Sequence, residues 1–383
     1  MAIGAEIELL PQFRDSHSPV PATASDGISS VEIIRRIARA QSWCESVEDS
    51  DPPSWILAGG ARISFEPGGQ IEISSARHAT ASALIDELHS ITGTLDEAFG
   101  SGGMELESRG VDQWNDIGAV PLQLHRSRYT SMTRYFESLD PAGVRMMRQT
   151  ASVQVSVQPG DNPVARWKLL NAVAPYLVAI FSNSSRYAGS PTQHRSYRAH
   201  LWRTLDKSRT GVALPGNRAI GDYALFALNA GAIFASPLDG RYPSFLEWMN
   251  DGQRTRSDWD MHLSTLFPEV RPKGFFEIRS PDMVDPHMIA APIAFISGLV
   301  YDEAAAANAA QLLSDADESR LVIAGREGLR DSDIAATSIE LANLAIAGCK
   351  ALGEGYMARE DSRALTDFVE RYTRNGRSPA DDQ

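Results

Sequence analysis

The chain has 383 residues, 43% of them hydrophobic and 22% charged, the make-up of a soluble globular protein with a sizeable core. Its 36 Lys plus Arg against 49 Asp plus Glu leave a formal charge of −13, which argues against general nucleic-acid or membrane binding. The two cysteines, Cys44 and Cys349, lie too far apart in sequence for a disulfide framework or a thiolate metal site, and read as small buried hydrophobes in a reducing cytoplasm.

The opening MAIGAEIELLP carries two glutamates in its apolar run, so it is no signal peptide. Ile3 to Leu10 alternates as a strand with Glu6 and Glu8 on one face, roughly 6–7 Å apart. Ser29 to Cys44 has helical spacing. Ile56 to Leu57, Arg62 to Glu66 and Gln70 to Ser74 read as short strands, the last two joined by a Pro67-Gly68-Gly69 turn. Ala79 to Phe99 is an amphipathic helix, and Gly100 to Gly103 a flexible break.

Ala151 to Gln158 alternates valines with Ser152, Gln154 and Ser156, a further strand with one polar face. Pro163 to Asn183 is a long helix. Gly189 to Gly216, rich in Arg, Ser and Thr, reads as a long irregular stretch of the kind that carries function. Gly274 to Arg279 is a strand with Phe275, Glu277 and Arg279 on one side. Pro286 to Arg374 is nearly all helical, and neither this region's first apolar run nor Ala219 to Leu238 reads as a membrane span. No internal repeat is visible. One domain over residues 1–375 with a frayed tail at 376–383 is expected. Strands early and helices late favour an α+β fold, an antiparallel sheet backed by helices.

Carboxylates on separate strands are the strongest chemical lead: Glu6 and Glu8, Glu66 and Glu72, and Glu277. Acids on strand faces are costly unless a cation meets them, and hard divalent ions take oxygen ligands. Arginines form the second half. Arg198, Arg203 and Arg209 lie in one stretch with Lys207, while Arg271, Lys273 and Arg279 surround Glu277. Guanidinium forks suit phosphate and carboxylate groups, and acids for metal beside cations for anions is what phosphoryl transfer needs. There is no GxxxxGK[ST] loop, strand-borne GxGxxG, HExxH or GxSxG. The histidines show no ligand spacing, and His262 reads as structural.

In order along the chain stand GAEIE (4–8), FEPGGQIEIS (65–74), RMMRQTASVQVS (145–156), HLWRTLDKSRTG (200–211) and HLSTLFPEVRPKGFFEIRSPD (262–282). Together these resemble the plant-type glutamate–cysteine ligase family, especially its actinobacterial branch that begins ergothioneine synthesis, over most of the chain from Ile3 to about Tyr301. The resemblance implies a curved antiparallel funnel covered by helices and related to glutamine synthetase. It implies ATP and Mg2+ as cofactors and glutamate and cysteine as substrates, joined through a γ-glutamyl phosphate into γ-glutamylcysteine for low-molecular-weight thiol synthesis. It leaves open a related ligase with another acceptor amine, and the oligomeric state.

Position by position, the resemblance makes Glu6, Glu8, Glu66, Glu72, Gln154 and Glu277 the metal shell. Arg128, Tyr129, Met147, Thr150, Arg198 and Trp202 fall to the substrate pocket, with Arg198 gripping the glutamate α-carboxylate. Arg209, Lys273 and Arg279 are candidates for the nucleotide phosphates, and Glu277, Arg279 and Arg198 for catalysis. Ser156 departs from the Asn usual in the family, and SPDMVDPHM (280–288) is less typical of it.

Overall fold

Apolar residues at every second position let one face of a strand enter the core while the other stays polar, and this chain uses that device across a whole sheet. The computed structural model describes every residue except 26, 47–51, 212–217, 251 and 314–316. In chain order the strands are β1 (Ile3–Phe13), β2 (Cys44–Ser46), β3 (Ser54–Ile56), β4 (Arg62–Phe65), β5 (Ile71–Ser74), β6 (Met104–Glu107), β7 (Val153–Val157), β8 (Arg186–Tyr187), β9 (Ser190–Pro191), β10 (Val270–Pro272) and β11 (Phe276–Ile278). Nine of them form one antiparallel sheet in the order β10-β11-β7-β1-β5-β4-β3-β2, with β6 on the far half of β1 and β8-β9 a separate hairpin.

Ile3, Ala5, Ile7 and Leu9 of β1, Ile63 and Phe65 of β4, Ile71 and Ile73 of β5, Val153, Val155 and Val157 of β7, and Phe276 and Ile278 of β11 form one buried face. Each fully buried side chain of this size contributes roughly 1.5–3 kcal/mol. Helices Ala81–Ser101, Pro163–Ile180 and Ala290–Tyr301 touch the sheet strands, and Ser332–Leu352 packs on Ala290–Tyr301. That last pair crosses closely: a Cβ on Gly298 would lie 2.1 Å from the Ala345 carbonyl oxygen, and one on Gly348 would lie 2.0 Å from that of Gly298. Ser332–Leu352 is long and apolar enough to cross a membrane. Its Ile334, Leu341, Ala342 and Ala345 are buried in the main core, as for an internal packing helix.

The expected α+β architecture is thus present, with three local corrections. The stretch expected to be irregular from 189 to 216 contains helices Tyr197–Thr204 and Lys207–Thr210, capped by the side chains of Ser196 and Asp206; residues 212–217 lie outside the described set. Polar caps rather than apolar periodicity start these helices, so a hydrophobic pattern misses them. Cys349 is buried, its thiol 3.2 Å from the Ala294 carbonyl oxygen, whereas Cys44 is exposed.

The tail at 376–383 is not frayed. Ser378, Pro379 and Ala380 are buried. The Ala380 amide donates to the Ser182 carbonyl at 3.0 Å, the Gln383 side chain accepts from Ser185, and Asp381 pairs with Arg195 at 2.7 Å and Arg330 at 3.0 Å. Removing residues 377–383 should lower the thermal midpoint by about 5 °C or more, since each lost buried bond costs about 1 kcal/mol and each kcal/mol shifts a chain of this size by about 2 °C. Thermal unfolding followed by circular dichroism checks this; an unchanged midpoint would show the tail is not an anchor.

Candidate active site

The polar face of the sheet is where the motifs meet. Register sets it: Glu8 stands directly opposite Glu72, Glu6 opposite Gln154, and Glu277 opposite Ser156. Glu66 closes the β4–β5 turn and pairs with Gln70, its amide on the Gln70 carbonyl at 2.9 Å. The two glycines of EPGGQIE have separate reasons. Gly69 has φ +91°, and a Cβ on Gly68 would lie 1.9 Å from the Arg148 carbonyl oxygen. Gln70 then donates to the carbonyls of Met147 (3.3 Å) and Thr150 (3.1 Å), locking the acidic turn to the end of helix Pro141–Gln149.

These side chains border one cavity of about 680 Å³, within the roughly 300–1,000 Å³ usual for small-molecule sites. Glu6, Glu8, Glu66, Glu72, Gln154 and Glu277 all line it. So do Arg128, Tyr129, Met147, Thr150 and Trp202, and Lys273 and Arg279. The acids expected to form a metal shell, most of the expected substrate residues and two of the three expected phosphate cations therefore share one space.

Two expected residues do not line it. Arg209 is fully buried among protein groups: Nε lies 2.7 Å from Asp206, Nη1 2.9 Å from the Thr265 carbonyl oxygen and Nη2 2.6 Å from that of Gly231, with Tyr135 stacked on it at 4.7 Å. Its fork is consumed by the scaffold, so it is not a phosphate ligand. Arg198 stands behind the cavity wall, stacked 4.5 Å from the Trp202 ring centroid. Its Nη2 donates to the Arg279 carbonyl at 2.8 Å and Nη1 to the Ser280 carbonyl at 3.4 Å. In this structure it braces the strand end that carries Arg279 and does not present a bidentate grip to the cavity. Asp282, in the segment less typical of the family, accepts from Asn183, Ser184 and Ser196 and is part of the same buried brace.

Pattern reading also missed wall residues: Met132, Met146, Tyr223, Arg256, Asp260, Ser264 and Phe267. Arg271, read in the sequence as part of the cation cluster around Glu277 but given no role, lines the wall too, opposite Glu277 on the ladder. Arg256, Asp260 and Ser264 recur at helical spacing from helix Arg256–Leu263 onward. The others contact the site only through tertiary packing.

Charge divides the cavity. Burial, with Glu72 and Glu277 adding repulsion, pushes the Glu6 carboxyl up to about 7. Burial raises Glu8, despite Arg198 and Ser152 favouring its charge, and raises Glu72, with Glu8 adding to it. Burial with Glu72 and Glu8 holds Glu66 well above the usual carboxylate range. Glu277 goes the other way. Burial alone would raise it, but Arg279, Arg271 and Lys273 outweigh that and hold it at about 2. Its oxygens touch Arg279 Nη1 and stand 2.7 Å from Lys273 Nζ.

A hard divalent ion such as Mg2+ fits this donor set, which is carboxylate oxygen held in mutual repulsion. Among the described residues no three acidic or imidazole side chains already cluster tightly enough to hold an ion alone. Magnesium commonly takes one or two carboxylates and completes its shell with water and phosphate.

Carboxylates ranked on an antiparallel sheet thus stand beside cations at one cavity. The chain belongs to the glutamate–cysteine ligase family: the model of glutamate–cysteine ligase family 2 matches residues 2–383. It is 31% identical over 361 residues to the glutamate–cysteine ligase EgtA of Mycolicibacterium smegmatis, covering 90% of this chain and 82% of that protein. It is 31% identical over 297 residues to the chloroplastic glutamate–cysteine ligase of Brassica juncea, covering 71% of this chain and 56% of the plant protein. Among solved structures the fold is similar to a glutamate–cysteine ligase from Francisella tularensis in complex with AMP (TM-score 0.60, 11% identity, 100% of this chain, 83% of that one). It is also similar to a bifunctional glutathione synthetase from Pasteurella multocida (TM-score 0.58, 10% identity, 100% of this chain, 49% of that one).

The raised carboxyls set a pH dependence. A group with a folded pKa above its unfolded value near 4.5 stabilises the fold below that value, and the stability is lost as pH rises through the folded pKa. The ligand-free protein should therefore lose thermal stability between pH 6 and pH 8, and Mg2+ should restore more of it at pH 8 than at pH 6, because the ion replaces protons. Melting curves at the two pH values, with and without Mg2+, check this; equal Mg2+ effects would mean the acids are not coupled to the ion.

Proposed function

We propose that this protein is an ATP- and Mg2+-dependent glutamate–cysteine ligase that makes γ-glutamylcysteine. The observation that supports it is the convergence in one cavity of Glu6, Glu8, Glu66 and Glu72 with Arg271, Lys273 and Arg279, side chains from strands far apart in sequence. A γ-carboxylate oxygen of glutamate attacks the γ-phosphorus of ATP, the bond from that phosphorus to the β-phosphate oxygen breaks, and ADP leaves with the electron pair. The resulting γ-glutamyl phosphate is attacked at its acyl carbon by the cysteine amine. Phosphate then departs and the amine loses a proton to solvent.

Lys273 and Arg279 border the part of the cavity suited to the phosphates, where cations outnumber carboxylates. Arg128, whose Nη2 donates to the Ser264 carbonyl at 3.1 Å, keeps donors for a substrate carboxylate, with Tyr129, Met147, Thr150 and Trp202 shaping that end. A divalent ion, when bound among the acids, supplies positive charge against the phosphate oxygens. The two unpaired cysteines fit a reducing, cytoplasm-like compartment.

ADP release in the presence of ATP, Mg2+, glutamate and each amino acid in turn tests this reading. Cysteine should give the highest turnover. Turnover with cysteine no greater than with alanine or buffer would remove cysteine as the acceptor, and a better amine would identify a related γ-glutamyl ligase. Glu277→Gln should lower kcat by about 100-fold or more, because it leaves three cations without their counter-charge. It should also melt a few degrees lower at pH 7, since Glu277, with its pKa lowered to about 2, stabilises the fold at all pH values above about 4.5. Near-parental kcat would place Glu277 outside the reaction.

A further inference from the structure

Three cations surround one carboxylate at Glu277, and they are not equally occupied. Arg279 Nη1 is engaged by both Glu277 and Gln154, and Lys273 Nζ sits 2.7 Å from Glu277. Arg271 is different. It stands across the β10–β11 ladder from Glu277, yet its Nη1 is 3.6 Å from the nearest Glu277 oxygen, beyond hydrogen-bond range. Its Nη2 donates to the Leu266 carbonyl at 2.7 Å, and its Nε, like that of Arg279, has no hydrogen-bond partner among the described residues.

Arg271 is only 8% exposed and lines the cavity. A guanidinium has five donors; here one is on Leu266, and Nη1, facing Glu277 beyond hydrogen-bond range, is left for an anion to engage. Burial, with Arg279 adding repulsion, lowers its pKa to about 10, so it stays charged near neutral pH. Leu266 fixes one end of the fork, and Arg271 lines the cavity together with Lys273 and Arg279.

On the ligase reading above, we propose that Arg271 is a catalytic residue that contacts the phosphoryl group in flight. As the γ-carboxylate oxygen bonds to phosphorus and the bridging oxygen leaves with ADP, negative charge spreads over the three oxygens of the transferring group. The spare N–H groups of Arg271 meet that charge and stay matched to the acyl phosphate product. Lys273 cannot substitute, because an ammonium offers a point charge where a planar fork spans two oxygens.

Steady-state ADP release by the full chain tests the proposal. Arg271→Gln should lower kcat on the order of 10²–10³-fold, with the glutamate KM within about threefold of the parent. Arg271→Lys keeps the charge without the fork and should recover about tenfold of that loss. A purely structural arginine would instead lower the melting temperature and the amount of active enzyme, without this split between kcat and KM or the ordering of Lys above Gln.

A folded Arg271→Gln enzyme with near-parental kcat would overturn the proposal, as would a loss confined to the glutamate KM. If Arg271→Gln does not fold, Arg271→Lys carries the test. Near-parental melting with kcat down roughly 10–100-fold supports the role, and near-parental kcat ends it. A parent that releases no ADP with any amino acid sinks the ligase reading and this role with it, whereas an active parent with unaffected variants sinks the role alone.

Discussion

Glu8 and Glu72 face each other across neighbouring strands, a register in which like charges repel from about 5 Å apart. Nothing in the hydrophobic core requires them. The ladder would pair equally well with serine or threonine at both places, and without the repulsion. Their presence makes sense if something positive arrives between them, and until then the structure keeps the pair tolerable through raised carboxyl pKa values rather than through salt bridges. The site is therefore poised by its own instability: the fold supplies the stability, and the polar face of the sheet gives part of it up.

The arginines divide along the same line. Arg209 and Arg198 spend their donors on backbone carbonyls and hold parts of the frame in place. Arg203 does similar work through its 2.8 Å bond to Glu269, whose other oxygen takes Ser280. The braces from Arg198 and Arg203 converge on residues 279 and 280, where the backbone leaves β11. The cavity's own cations, Arg271, Lys273 and Arg279, are therefore carried on a strand pair pinned from behind, which limits how far their charges can drift from Glu277.

Much of this was legible in the chain. Strict alternation in IGAEIELL and SVQVSV marks strands with one polar face because a one-residue slip would turn every isoleucine or valine outward. That reading places Glu6, Glu8 and Gln154 on a shared surface before any pairing is known. The EPGGQIE and RPKGFFEIR motifs then supply Glu66, Glu72, Lys273, Glu277 and Arg279, and all of these reach the cavity. What the chain hides is partner choice. Arg198 and Arg209 sit in an arginine-rich stretch that looks like an anion site, but whether an arginine meets a ligand or a carbonyl depends on which distant backbone lies under it. Thr265 and Gly231 meet Arg209 across 56 and 22 residues. The docked C-terminus was hidden for the same reason, since its contacts to Ser182 and Ser185 span nearly 200 residues.

The distribution of charge also constrains how any substrate pair must lie. Carboxyls that resist ionisation crowd the middle of the sheet, while Glu277, held ionised, is wrapped by cations. An anion entering at the Glu66 side would meet repulsion unless a divalent ion came with it. An anion entering beside Arg271 and Lys273 would meet attraction at once. On the proposed ligase reading, a phosphate chain would run from the cationic strand pair toward the acids, and a divalent ion would meet it beside Glu6, which lines the cavity between them. On the same reading, the remaining end, walled by Arg128, Tyr129 and Met147, would take the molecule whose carboxylate receives the phosphoryl group, with acceptor and donor on opposite sides of the same few carboxylates.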